Sequence, residues 1–284
     1  MKIAVLGSTG MAGHVVAQYL EEKGHTVYRS SRSERSAQTS AAIDATDFAA
    51  LGRWLDQIMP DAVVNCIGLL QKACNERGDL AFLINAYLPH WLEWRYADSA
   101  VKVVHLSTDC VFLGKTGGYR ENALKDGDTM YDRTKAIGEV VNGKDLTFRM
   151  SIIGPDIDPN GSGLFNWFMA QSGTIEGYSR AVWNGVTTVE LARAIDAALE
   201  QNLIGLYHLV HPDPIDKCSL LEIFKTVFHR EQVSILRADG LQVDKSLVNT
   251  RTDFRFQVKS YSDQAADMYN WVRGHKKFYP HYLT

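Results

Sequence analysis

Lys2-Ile-Ala-Val-Leu6 passes without a break into Gly7-Ser-Thr-Gly10-Met-Ala-Gly13, and this stretch decides the fold. The apolar run reads as a buried strand, and Met11–Lys23 after it reads as a helix. Between them Gly7 permits a tight turn, Gly10 lets the backbone approach a pyrophosphate, and Gly13 lets helix and strand pack closely. Amides at the helix N-terminus then face the phosphates. A glycine triplet alone is weak evidence, because turns use glycine anyway. Placed between an N-terminal strand and a helix, it points to a bound dinucleotide, with Gly7, Thr9, Gly10, Met11 and Gly13 as contacts.

Outward from this motif, short apolar runs alternate with amphipathic stretches, the pattern of βαβ units and a parallel sheet. Strands are predicted at Thr26–Arg29, Ala62–Ile67, Val101–Ser107 and Leu146–Ile153, and a helix at Phe48–Met59. Long helical stretches are expected on either side of Val101–Ser107. After Gly154-Pro155 the texture changes: Asp156–Gly163 reads as a surface loop, Val189–Glu200 as a helix and Gly205–Val210 as a short strand. Ser219-Leu-Leu-Glu222 has the form of a capping box opening a helix to about Phe228. The expected fold class is α/β: a Rossmann-type doubly wound parallel sheet over residues 1–154. A smaller mixed substrate lobe follows over 155–284, with some segments returning to the first domain.

Composition narrows the function classes. The chain has 284 residues, 45% hydrophobic and 22% charged, with a formal net charge of −3. That balance fits a globular protein and gives no electrostatic case for nucleic acid or an anionic membrane. The runs Arg29–Arg35 and His275–Lys277 could form local basic patches, the second reading better as solvated surface. No apolar window is long enough for a membrane span, and no signal peptide is evident. Cys66, Cys74, Cys110 and Cys218 lack metal spacing and read as reduced thiols, so the expected location is the cytoplasm. His25, His105, His208 and His211 also lack ligand spacing, and no metal site is predicted.

Four further features carry chemistry. An NAD-preferring domain usually ends its second strand on an acid that bonds the ribose 2′-hydroxyl, but here the stretch is Tyr28-Arg29-Ser30-Ser31-Arg32. Either arginine can pair with a 2′-phosphate, with Ser30 and Ser31 as donors, or the turn is simply solvated. The first option makes NADPH the expected cofactor and NADH the second choice. In Asp44-Ala-Thr-Asp47, Asp44 is assigned to the cofactor site, and Asp47 can cap the next helix, meet the adenine, or do both. Tyr131 and Lys135 lie four apart on one helix face, where the lysine is expected to lower the phenol pKa toward neutrality. Upstream, Ser107-Thr108-Asp109 ends a strand, so Thr108 can hydrogen-bond a reacting oxygen at the sheet edge. Trp167 and Trp183 can stack on a base or pack in the core.

Taken together, these residues resemble the extended short-chain dehydrogenase/reductases, and more narrowly the dTDP-4-dehydrorhamnose reductase (RmlD-like) family. The resemblance rests on Gly7–Gly13, Asp44–Asp47, Pro60-Asp-Ala-Val-Val-Asn65, Asn85-Ala86, Ser107-Thr-Asp-Cys-Val-Phe112 and Tyr131-Asp-Arg-Thr-Lys-Ala-Ile-Gly-Glu139. Arg149 and Gly185-Val-Thr-Thr-Val-Glu-Leu-Ala192 extend it. It implies Thr108, Tyr131 and Lys135 as the catalytic set, with Asn65, Cys66, Ile67, Gly68, Asn85 and Ser107 along the cofactor path. Tyr131 and Lys135 are also implied to meet the cofactor, the lysine at its nicotinamide ribose. Substrate contacts are expected from Thr108, Asp109, Cys110, Val111 and Trp183. Two segments depart from the family: Leu69–Ala73 replaces its Tyr-Thr-x-Val-Asp run, and Phe112-Leu113-Gly114 replaces Phe-Asp-Gly. Both border the substrate, so the sugar is left open. The family's metal-assisted dimerisation finds no matching acidic ligands here, and a monomer or homodimer is expected.

The expected activity is NADPH-dependent reduction of a keto group on a nucleotide-activated deoxysugar, in polysaccharide or antibiotic sugar synthesis. A dehydratase needs an acid after the Thr-Asp pair, where Cys110 stands. An epimerase and a non-catalytic dinucleotide-binding regulatory subunit are the alternatives.

Overall fold

In the computed structural model, which describes residues 1–32 and 39–282, Lys2–Leu6 is strand β1, with Ile3 to Leu6 wholly buried. Consecutive buried apolar residues are what a strand covered on both faces requires. Toward one edge of the sheet, β2 (Thr26–Ser31) and β3 (Ser40–Ala42) are only partly buried, whereas β4 (Ala62–Asn65), β5 (Lys102–Thr108) and β6 (Leu146–Met150) are buried throughout. With the later strand Gly205–His208 they form one parallel sheet, ordered Gly205–His208, β6, β5, β4, β1, β2, β3. The order reverses beside β1, so the carboxyl ends of β1 and β4 flank a crevice of the kind in which open α/β sheets bind ligands. Of the basic run Arg29–Arg35, residues 33–35 lie outside the described residues.

Helix α1 (Met11–Glu22) covers one face of the sheet and packs against the helix Thr188–Glu200. On the other face, α2 (Phe48–Ile58) buries Leu51, Leu55 and Ile58. Asp47 caps α2, its carboxylate accepting the Ala50 amide at 2.8 Å. The long helical stretch before β5 is built in pieces: α3 (Gln71–Glu76), α4 (Gly78–Ala81), a π-helical turn Phe82–Tyr87, and α5 (Leu88–Arg95). After β5 comes α6 (Met130–Ile137), fixed at its start by a reciprocal cap between Thr129 and Asp132. Gly138 ends it; a Cβ there would lie 1.9 Å from the Asn85 carbonyl oxygen, so only glycine lets the π turn and α6 close together.

The run Leu146–Ile153 does not stay in one sheet: beyond Ser151, Ile152–Ile153 pairs with Val186–Thr187. The second lobe adds a parallel pair, Gly173–Tyr178 with Val233–Ala238, and a three-stranded set centred on Ala181–Trp183. The helix expected to open at Ser219 spans Lys217–Val227 instead. Asp216 supplies its cap, accepting the Ser219 amide at 2.9 Å and hydroxyl at 2.8 Å, which moves the start upstream of the predicted box. A C-terminal helix, Tyr261–Gly274, leads into a segment that touches the first loop. There Tyr279 bridges His14 and Trp271 at 2.6 and 2.9 Å, and His14 in turn meets the Gly10 carbonyl at 2.8 Å. Among the described residues no helix is long and apolar enough to cross a membrane.

Candidate active site

The first-strand loop is tied to β2, with the Gly7 and Ser8 amides both donating to the Ser30 carbonyl at 3.0 Å. Its three glycines serve different ends. Gly7 has φ of +75°, a conformation that favours glycine. At Gly13 a Cβ would sit 2.2 Å from the Gly7 oxygen, so that glycine is needed for packing. At Gly10 a Cβ would meet nothing closer than that same oxygen at 3.5 Å, an ordinary contact. The chain's own packing does not explain a bare Gly10, whose backbone borders the cavity described next. Helix α1 also lacks a side-chain cap, leaving its first amides for a phosphate group.

This loop opens into a cavity of about 290 Å³ lined by Gly7, Thr9, Gly10, Ser30, Ser31, Arg32, Asp44, Cys66, Ile67 and Gly68. Ala45 and Thr46 of the Asp44–Asp47 motif and Leu69 also line it, with Ile43, Leu51, Leu80 and Ile84, which escaped the sequence reading, having no motif to mark them. Hydrogen bonds from the Thr46 amide and hydroxyl hold the Asp44 carboxyl below its ordinary range, and Arg32 adds to the effect. Gly13 lies beneath the loop, and Met11 borders Gly163 instead of this cavity.

Four expected contacts point elsewhere. Arg29 is taken by Glu21 on α1 at 3.0 and 3.1 Å. Asn65 accepts the Ile67 amide at 3.2 Å and turns its Nδ2 to His105 at 3.3 Å. Asn85 staples the Leu69 backbone through bonds of 2.8 and 3.0 Å. The Ser107 hydroxyl donates to Glu139 at 2.7 Å, inside a buried cluster with Arg149. Asn65 and Asn85 thus shape the cavity wall from behind.

At the carboxyl end of β5, Thr108 donates to Asp109 Oδ1 at 3.1 Å and accepts the Cys110 amide at 3.1 Å. Its hydroxyl also faces the Tyr131 phenol. Lys135, one turn along α6 from Tyr131, donates to the Leu106 carbonyl at 2.6 Å and lies 3.5 Å from His105 Nε2. The expected lowering of the Tyr131 pKa is not found. Burial pushes the phenol up, Cys110 and Asp109 add to this, and the Thr108 hydroxyl opposes it. The lysine's nitrogen is committed to the β5 backbone, and burial brings it down to about 8. Burial also pushes the thiols of Cys66 and Cys110 up, to about 12 and about 11, so neither is a ready nucleophile.

A second cavity, of about 460 Å³, is lined by Asp109, Cys110, Trp167, Trp183, Lys217 and Lys245 among others. The Lys217 ammonium sits 5.3 Å over the Trp183 ring, close enough for a cation–π contact. Neither lysine carried a sequence signal. Val111, expected at the substrate, is wholly buried in a cluster with Phe112, Val210 and Leu247 and is a core residue. Among the described residues no group of His, Cys, Asp or Glu is placed to hold a metal ion.

A switch-point crevice, a phosphate-type glycine loop and a Thr–Tyr–Lys edge together define an extended short-chain dehydrogenase/reductase. The chain belongs to the family described as the RmlD substrate binding domain, whose pattern matches residues 1–239. It is 31% identical over 157 residues to a probable low-salt glycan biosynthesis reductase of Haloferax volcanii, a match covering 52% of each chain. It is 31% identical over 141 residues to a dTDP-4-dehydrorhamnose reductase of Mycolicibacterium smegmatis, covering 49% of this chain and 40% of that one. The matches thus span about half the length of these curated relatives or less. The fold is shared with the dTDP-4-dehydrorhamnose reductase of Bacillus anthracis solved with NADP, at a TM-score of 0.80 and 17% identity, covering 95% of this chain and 99% of that one.

Proposed function

We propose that this chain uses NADPH to reduce a keto group on a nucleotide-activated deoxysugar. The observation that carries the proposal is the Thr108–Tyr131 contact at the carboxyl end of β5, in a chain that also holds two cavities. One is built on the glycine loop and Arg32; the other, in the second lobe, is lined by Asp109, Trp183 and Lys217. The relative named dTDP-4-dehydrorhamnose reductase supports the same substrate class, and the Bacillus anthracis structure solved with NADP supports the cofactor. NADH is the second choice of cofactor.

Bound in the first cavity, the dinucleotide supplies a hydride. Gly10 and the uncapped start of α1 receive its pyrophosphate, and Arg32 reads the adenosine ribose. Thr108, at the strand end, orients the carbonyl oxygen by hydrogen bonding. Tyr131 gives its phenolic proton to that oxygen, and burial keeps the phenol in the acid form needed for this donation. Lys135, the third member of the set, is held by the Leu106 carbonyl one turn along α6 from the donor. Keto group, hydride and proton sum to the alcohol.

The test is NADPH consumption with a panel of thymidine-, uridine-, guanosine- and cytidine-diphosphate 4-keto sugars. Stoichiometric oxidation with one of them supports the proposal. Product formed with no net loss of NADPH identifies an epimerase, and binding of NADPH without turnover of any sugar identifies a regulatory subunit.

A further inference from the structure

Behind the Tyr131–Lys135 edge lies a buried line of side chains that the reaction above does not use. Asn65 and His105 have no exposed surface, and Lys135 has almost none. His105 Nδ1 faces Asn65 Nδ2 at 3.3 Å, and His105 Nε2 faces Lys135 Nζ at 3.5 Å. The Asn65 amide cannot be turned over without loss, because its Oδ1 accepts the Ile67 backbone N–H at 3.2 Å. Its NH₂ group must therefore point at the ring, making Nδ1 the acceptor. A neutral imidazole has one N–H, so the hydrogen is on Nε2. That N–H edge is turned toward the lysine nitrogen, where it suits a neutral amine and opposes an ammonium. The Leu106 carbonyl, at 2.6 Å, accepts from either form.

We propose that Asn65 and His105 form a tautomer lock that favours the neutral amine of Lys135, so that dinucleotide binding takes up a proton at this lysine. The linkage to binding rests on the dinucleotide reading above; the lock itself does not. Other groups around Lys135 leave this local effect visible. Glu139, one turn on, is the anion acting on it, but that carboxylate is shared among Arg149, Ser107 and Lys125. Cys66 and Cys74 also face the lysine, and burial pushes both thiols up, away from the charged form. Tyr131 lies one turn back on α6, and burial keeps it protonated as well. His105 is itself driven well below its ordinary pKa, first by burial and then by Lys135. It therefore acts as a neutral ring. Phosphates and ribose hydroxyls brought to the cavity favour the ammonium, so binding and protonation reinforce each other.

The lock is read directly in the cofactor-free protein by nitrogen NMR of labelled histidine and carbon NMR of labelled lysine, with Lys135 assigned by its loss in Lys135→Met. His105 is expected as the Nε2–H tautomer, with Lys135 titrating well below the ordinary lysine value. Asn65→Leu separates the lock from plain burial, since it removes the donor while keeping the site apolar. The lock predicts that the Lys135 midpoint rises by about one pH unit or more, because the ring is free to present a lone pair to an ammonium. Burial alone predicts no change or a fall. His105→Gln, whose amide oxygen can face the lysine, should also raise the midpoint. An Nδ1–H tautomer in the parent, or a Lys135 midpoint that does not rise in either variant, overturns the lock.

The linkage is tested by NADP⁺ titration calorimetry in buffers of different ionisation enthalpy at pH 8 to 9. Proton uptake is expected in the parent and should be reduced in Asn65→Leu. Binding without uptake overturns the linkage while leaving the cofactor reading intact. No binding at any pH overturns that reading and the linkage, and leaves the NMR result standing.

Discussion

Arg29 and Glu21 form a two-pronged ion pair, their nitrogens and oxygens 3.0 and 3.1 Å apart, on the α1 side of β2. Arg32, by contrast, lines the glycine-loop cavity together with Ser30, Ser31 and Asp44. β2 ends at Ser31, so Arg29 lies within the strand while Arg32 stands beyond its carboxyl end, beside the glycine loop.

Of these two arginines, cofactor choice should therefore depend on Arg32. A charge-assisted pair with a 2′-phosphate is worth ~1.5–3 kcal/mol, roughly ten- to a hundredfold in affinity. Arg32→Ala should remove a preference of that size for NADP⁺ over NAD⁺ and leave NAD⁺ binding nearly unchanged. Arg29→Ala should keep the preference and cost at most ~1 kcal/mol of stability, as expected for a partly exposed pair. Parallel titrations with both dinucleotides decide between them, and loss of the preference in Arg29→Ala would reverse the assignment.

Tyr131 is assigned the proton donation. Tyr131→Phe keeps the ring and removes only the hydroxyl, so the fold should survive. Turnover should drop by ~10²–10⁴-fold, the usual contribution of a positioned acid. Thermal melting and single-turnover rates check both halves, and near-parental turnover would exclude Tyr131 as the donor.

Glu139 and Arg149 meet at 2.7 Å through two bonds, with almost no exposed surface, and Ser107 and Lys125 share the carboxylate. Burial works to raise the Glu139 pKa, but Arg149, Lys125 and Ser107 together hold it below its ordinary value. A folded-state pKa below the unfolded one gives stability that is present above the unfolded value and lost as pH falls through the folded one. Glu139→Gln leaves a buried guanidinium without its anion and should cost ~3–5 kcal/mol at pH 7. The loss should shrink at acid pH, and adding Arg149→Met should recover part of it. Denaturant melts across pH decide this, and an acid-independent loss would count against the ion pair as its origin.

Much of this site was legible because its chemistry is local in sequence. Gly7 to Gly13 follow one strand directly, Tyr131 and Lys135 share one helix face, and Thr108 ends a strand, so spacing alone brings each group together. What sequence could not supply was the direction of side chains whose partners lie far along the chain. Ser107 turns to Glu139, Asn85 to Leu69, and Asn65 to His105. Each is next to the site in sequence yet bonds away from it. The Lys135 effect on Tyr131 failed for a related reason: helical spacing places the two residues on one face but cannot say where a long flexible stem ends. Lys217 and Lys245 reach the second cavity only through the packing of the second lobe, which no local pattern encodes.

The glycine loop allows a test that separates folding from binding. Gly13 and Gly10 look equivalent in the motif, but their surroundings differ: an added Cβ would stand 2.2 Å from the Gly7 oxygen at Gly13, against 3.5 Å at Gly10. Gly13→Ala must therefore push α1 away from the turn, and it should lose both stability and dinucleotide binding. In Gly10→Ala the added methyl is accepted by the protein and stands only in the way of a ligand approaching the backbone. Its melting temperature should match the parent's while NADP⁺ affinity falls by at least about tenfold, and Gly10→Val should deepen the loss. Because the parent's fold is preserved, a thermal shift with saturating NADP⁺ reads the difference directly: present in the parent, small or absent in Gly10→Ala. Equal affinity in Gly10→Ala and the parent would mean that the pyrophosphate does not lie on this loop, whatever the shape of the turn.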